Sequence, residues 1–117
     1  MIDIINISLA LFSIVLGLFG WLAPKYTMEV VDLQRGATTM GLSEIRAASG
    51  ALFVGLGVGA LVLGSPVAYA MVGFAWGFAS IGRLTSIIAD EAPTRKTWGF
   101  FACEAAVGAT LIALNLG

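Results

Sequence analysis

Four ionisable side chains stand inside, or at the ends of, otherwise apolar segments, and they are the residues best placed to do chemistry. They are Glu44, Arg46, Arg83 and Glu104. A charge at the bilayer centre costs at least about 2.5 to 3.5 kcal/mol, so such side chains usually face other helices and pair. Two acids and two bases can neutralise one another. The sequence therefore predicts a buried charge network of these four residues.

Three interpretations of the network stay open. The pairs can fix helix register without any ligand, or they can form a functional polar pocket. In the pocket, Glu104 is the candidate for proton exchange. Snorkelling is the third interpretation, since the long side chains of Arg46 and Arg83 can reach the headgroups by themselves. Glu104 is too short for that route.

Sequence position limits which charges can pair. Arg83 and Glu104 each lie about seven residues from the polar loop 90–96, which is about 10 Å at the helical rise of 1.5 Å per residue. We predict that these two side chains meet at equal depth. Glu44 and Arg46 are about 200° apart around their helix, so we expect them to have different partners.

Aromatic and small polar residues share helical stripes with Arg83 and Glu104. One stripe carries Trp76, Ser80 and Arg83, and the other carries Phe101 and Glu104. If the stripes meet, the charge cluster has an aromatic floor. We predict four possible ligand contacts there: Trp76, Ser80, Trp98 and Phe101.

The composition argues against catalytic, metal-binding and nucleic-acid-binding classes. The chain has no His, which removes the commonest metal ligand and general base. Cys103 is the single cysteine and lies in an apolar run, as a packing residue would. The net charge is −1, and no basic stripe suited to nucleic acid is present. We expect no enzyme activity, no metal and no cofactor.

The elements that position these residues are four apolar segments. Apolar types make up 59% of the 117 residues and charged types 11%, less than half the usual share of a soluble domain. A spanning helix needs about 20 mainly apolar residues. We predict one domain, an all-α integral membrane four-helix bundle. Its spans are residues 4–22, 42–63, 67–89 and 97–116.

Two features describe how the spans connect and pack. The connection 25–40 forms either a short helix on the membrane surface or an ordered loop, and we favour the helix. Small residues four apart, such as Ala51, Gly55 and Gly59, permit close helix contact in lipid. We expect such ridges to pack the last three spans tightly, although glycines could also line a substrate path. The first span, with only Gly17 and Gly20, is expected at the edge.

The basic residues predict an orientation. Four of them fall in the two loops that four spans place on one side: Lys25, Arg35, Arg95 and Lys96. The positive-inside rule then puts both loops in the cytoplasm and both termini outside.

The segment Gly41-Leu42-Ser43-Glu44-Ile45-Arg46-Ala47, with the glycine-rich run after it and Arg83, resembles a known family. It is a bacterial family of small four-span membrane proteins classed only as a domain of unknown function. That family is distantly similar to the DoxX group. The resemblance implies four helices and a bacterial inner membrane, and it implies no established reaction.

We expect an accessory or assembly subunit that packs against a larger membrane complex or against itself. One alternative is an oligomeric transporter of small molecules, or a proton-coupled one, that uses Glu104. Small multidrug exporters carry their essential Glu in the first span, which here has no ionisable residue after Asp3. The other alternative is a lipid- or quinone-binding protein with contacts at Trp76, Arg83 and Trp98.

Overall fold

The computed structural model describes residues 2–91 and 94–116, and the regular structure within them is helical. Five helices are formed: α1 (Ile2–Leu22), α2 (Pro24–Val30), α3 (Met40–Leu63), α4 (Pro66–Ala89) and α5 (Arg95–Leu116). All except α2 are long and apolar enough to cross a membrane. The predicted all-α membrane class is confirmed. The four long helices begin one or two residues before the predicted spans.

The chain divides into two compact units, Ile7–Val62 and residues 2–6 with 63–116. Each is described by itself, and the assignment of a single domain stays a prediction.

In the unit Ile7–Val62, α1 and α3 approach each other backbone to backbone. A Cβ on Gly57 would lie 2.5 Å from Ala10 O, and one on Gly17 would lie 2.6 Å from Gly50 O. A Cβ on Gly20 would collide with the Ser49 carbonyl. Such contacts require glycine, because nothing larger fits between two backbones. Both glycines of α1 therefore lie at close contacts with α3, and the expected edge position of the first span stays a prediction.

The α3 helix is not regular throughout. Residues Ala47–Ala51 form a π-helical turn, which adds a residue to the helical ladder and shifts the faces that follow. After this turn, the glycines of α3 do not all face the same surroundings. Gly50 meets Trp21 of α1, whereas nothing lies within 4 Å of a Cβ placed on Gly55 or Gly59.

The connection between the first two spans begins with the helix that we favoured. Pro24 stands at the first position of α2, where its missing N–H leaves no hydrogen bond unmade. Pro24 and Met28 are buried. This helix ends at Val30 and so covers only the first part of the connection 25–40. After it, Asp32 has a left-handed backbone conformation with φ of 61°.

In the other unit, a two-residue turn joins α3 to α4. Gly64 has φ of 63°, a conformation that glycine adopts without steric cost. Ser65 caps α4, its Oγ accepting a hydrogen bond from Ala68 N at 3.2 Å, and Pro66 occupies the first helical turn. Turn, cap and proline together fix where the chain reverses.

The α4 and α5 helices then pack tightly through glycine. A Cβ on Gly108 would lie 2.6 Å from Gly77 N, and a Cβ on Gly73 would lie 2.9 Å from Leu111 Cβ. Trp76 and Leu111 are buried beside this contact. The small residues of α4 and α5 therefore have the packing role that the sequence predicted.

Replacing Gly108 with Ala should destabilise the protein by about 1 to 3 kcal/mol, because the new methyl group forces two backbones apart. Gly82→Ala is the matched control, since no residue that the structure describes lies within 4 Å of its Cβ position. That change should be neutral or stabilise by up to about 1 kcal/mol through helix propensity. Thermal unfolding in mild detergent measures both, and equal effects of the two changes would contradict the packing described.

Candidate functional site: a paired arginine and glutamate

An ion pair joins α4 to α5. Arg83 donates from Nε to Glu104 Oε1 at 3.1 Å and from a terminal nitrogen to Oε2 at 3.5 Å. This two-pronged arrangement is the geometry in which guanidinium and carboxylate interact most strongly. The Glu104 side chain is 14% exposed and that of Arg83 is 37% exposed. The acid is therefore the more enclosed member and depends more on its partner.

An aromatic ring supports the arginine. The guanidinium carbon of Arg83 lies 4.9 Å from the centre of the Phe100 ring, within range of a cation–π interaction. Sequence reasoning had placed an aromatic floor here but had not named Phe100. The signal was present, since Phe100 is four residues before Glu104 and so shares its helix face.

The four predicted ligand contacts have different surroundings. Trp76 is only 4% exposed, and Ser80 is buried with its hydroxyl donating to Gly77 O. Trp98 is 46% exposed and packs edge-on against Phe101, with ring centres 5.7 Å apart. The first two are thus enclosed by packing, and Trp98 is the most open. Their role as ligand contacts stays a prediction.

Arg46 has a backbone partner in its own unit. Its guanidinium donates to the carbonyl oxygen of Trp21 at 2.7 Å. Trp21 lies in the last turn of α1, where carbonyls lose their helical donors because the helix ends at Leu22. A cation is also favoured at the negative end of a helix. Arg46 therefore caps α1, a role that sequence reasoning missed although Pro24 signalled the free carbonyls.

Glu44 is exposed on the first turns of α3. Of the four charges predicted to form a network, the structure brings Arg83 and Glu104 together and gives Arg46 a carbonyl partner. The closed network of all four stays a prediction.

An open groove of about 530 Å³ lies beside Arg46. Its polar lining is Thr39, Ser43, Arg46 and the indole of Trp21, and its apolar lining includes Leu42, Ala47 and Ala51.

A second polar pair, absent from the sequence predictions, joins α1 to α5. Asn6 and Asn115 exchange two amide hydrogen bonds of 2.8 Å each. Asn115 also donates to Leu111 O at 2.7 Å. The sequence did contain a signal for this pair, since each of two apolar segments has an asparagine and an amide in hydrocarbon needs a hydrogen-bond partner.

The residues of the structure at 2–91 and 94–116 contain no group of three or more Cys, Asp or Glu that could hold a metal ion. The Arg83–Glu104 pair can stabilise the contact between α4 and α5, and proton exchange by Glu104 stays a prediction.

The ion pair makes an asymmetric prediction. Arg83→Gln leaves the enclosed Glu104 without its partner, and we expect a loss of about 1 to 3 kcal/mol of stability. Glu104→Gln should cost less, because Arg83 is more exposed and its long side chain can reach polar surroundings. The double variant should be more stable than the sum of the two losses predicts.

Unfolding of the four proteins in mild detergent measures this cycle. Additive losses, or a larger loss for Glu104→Gln than for Arg83→Gln, would show that the pair does not stabilise the contact as described.

Comparison with known proteins places the chain. No curated protein and no solved structure matches it. The model of one family, described as "Domain of unknown function (DUF4345)", matches residues 1–115, almost the whole chain. The chain is therefore a small multi-pass membrane protein with four helices able to span the bilayer, and it belongs to the DUF4345 family.

Proposed function

We propose that this protein is a non-enzymatic accessory or assembly subunit that packs against another membrane protein. The observation that carries the proposal is the face of α3 opposite its contact with α1. Gly55 and Gly59 lie about 200° from Gly57 around the helix. Gly57 contacts α1, whereas Cβ positions on Gly55 and Gly59 meet no atom of the described residues within 4 Å.

The presence of glycine at positions 55 and 59, where no close contact requires it, needs an explanation. Each glycine inside a helix costs up to about 1 kcal/mol relative to alanine. In membranes, glycines four residues apart are typical of surfaces where a second helix approaches closely. The face with Gly55 and Gly59 therefore fits a helix of a partner protein or of a second copy.

The polar side chains support the same conclusion. In the part of the chain that the structure describes, every buried side-chain nitrogen and oxygen has a hydrogen-bond partner. Ser13, for example, donates to Phe53 O at 2.9 Å. Buried groups that bond to one another hold helices in register, which is the requirement of a packing subunit.

The two alternatives use other residues. A transporter would need Glu104 to release Arg83 during proton exchange, and the two-pronged pair opposes that release. A lipid or quinone beside Arg83 would have Trp98 as its most accessible contact, since Trp76 is enclosed.

Location and orientation complete the proposal. A bacterial inner membrane and a distant likeness to the DoxX group follow from the resemblance stated for the segment 41–47. The four loop cations, Lys25, Arg35, Arg95 and Lys96, favour cytoplasmic loops with both termini outside.

The role of the face with Gly55 and Gly59 in binding a partner is tested by placing a large side chain on it. Gly59→Leu should leave the protein folded, because its Cβ position is free, and should abolish co-purification of a membrane partner, or self-association, in mild detergent at native expression. Gly82→Leu is the control, as the same change at another glycine with a free Cβ position. Wild-type protein that runs alone and monomeric, or equal loss in both variants, would refute the proposal.

The orientation is tested by labelling single cysteines. In a Cys103→Ser background, Ser65→Cys should react with an impermeant maleimide in intact cells. Gly36→Cys should react only after lysis, because the rule of basic loops places it in the cytoplasm. The reverse pattern would overturn the proposed topology.

A further inference from the structure

We infer that the groove beside Arg46 binds the phosphate headgroup of an anionic phospholipid. This inference is independent of the proposed packing role, which uses the Gly55 and Gly59 face of α3.

The groove has the charge that such a ligand needs. Its lining contains one cation, Arg46, two hydroxyl residues, Thr39 and Ser43, and no acid. A guanidinium has five N–H donors, and one hydrogen bond to Trp21 O leaves others available. Arginine and hydroxyl donors are the groups that commonly recognise phosphate oxygens.

The groove also lies at the level in the membrane that a lipid headgroup occupies. Arg46 is the seventh residue of α3, about 9 Å along the helix from its first residue, and Trp21 is one residue from the end of α1. Both helix ends lie at one membrane boundary, since α1 and α3 are successive spans. Tryptophan concentrates at the level of the headgroups. A phosphate at Arg46 would therefore lie where lipid phosphates lie.

The apolar side of the groove suits a lipid rather than a free anion. Leu42, Ala47 and Ala51 continue the lining along α3, and the last two lie in the π-helical turn. A groove with both polar and apolar lining suits a lipid, because a lipid presents a phosphate group next to apolar chains. A volume of about 530 Å³ accommodates a headgroup with its glycerol, within the usual 300 to 1,000 Å³ of ligand pockets.

The anchoring of Arg46 separates this site from simple snorkelling. A snorkelling side chain extends freely toward water, whereas the guanidinium of Arg46 is held at 2.7 Å from a fixed carbonyl. A held guanidinium presents its remaining donors in one place, which lowers the entropic cost of binding.

The experiment uses the full chain in mild detergent with equimolar phosphatidylglycerol and phosphatidylcholine, and native mass spectrometry counts the lipid retained. The wild type should retain phosphatidylglycerol preferentially. Arg46→Gln should weaken its binding about fivefold, the usual effect of one basic residue at a lipid surface. Ala47→Leu keeps the arginine but fills the groove and should weaken binding similarly.

Arg95→Gln is the control, because it removes one exposed cation at the start of α5 that is not part of the groove lining. It should bind lipid as the wild type does. If Arg46→Gln fails to fold, Ala47→Leu decides the outcome by itself.

Three results would overturn the inference. Equal lipid retention in wild type and Ala47→Leu, or equal loss in Arg95→Gln and Arg46→Gln, would leave only unspecific surface attraction. Displacement of phosphatidylglycerol by excess inorganic phosphate would assign the site to a free anion. Retention of the lipid under that challenge supports the headgroup site.

Discussion

Inside a bilayer a polar side chain has no water to bind, and each hydrogen bond that it can make must come from the protein or from a lipid headgroup. This chain meets the requirement in different ways. Arg83 pairs with Glu104, and Asn6 pairs with Asn115. Arg46 takes a backbone carbonyl that the end of α1 leaves without a helical donor. Each pairing joins two helices, so polar satisfaction also sets which helix faces meet.

Close packing makes those pairings geometrically possible. Between α4 and α5, the absence of a Cβ on Gly108 lets the two backbones come near enough for Arg83 to reach Glu104 with both prongs of its guanidinium. Between α1 and α3, Gly57 permits the approach that lets Ser13 reach Phe53 O. Glycine and polar residues therefore act together. The glycines determine how closely two helices approach, and the polar side chains determine the register in which the helices pack.

The sequence predicted the features that depend on one helix or on a short loop. The length of the apolar segments predicted four spanning helices. The similar distances of Arg83 and Glu104 from the loop between their helices predicted that these two side chains pair. It could not predict features that arise when two backbones meet. The partner of Arg46 is a carbonyl rather than a charge, and the π-helical turn of α3 changes which glycines face α1. No residue type marks the π-helical turn, and Pro24 marks the end of α1 without showing which side chain reaches its free carbonyls.

The central claim is that polar side chains in the spans are stabilised by one another, and the Asn6–Asn115 pair tests it without any change of charge. Stability in mild detergent would be measured for Asn6→Leu, Asn115→Leu and the double variant. Each single change should cost about 1 kcal/mol, because it leaves an amide in hydrocarbon without its partner, while the double change should recover most of the loss. Neutral single variants, or a double variant that loses the sum of both, would contradict the account.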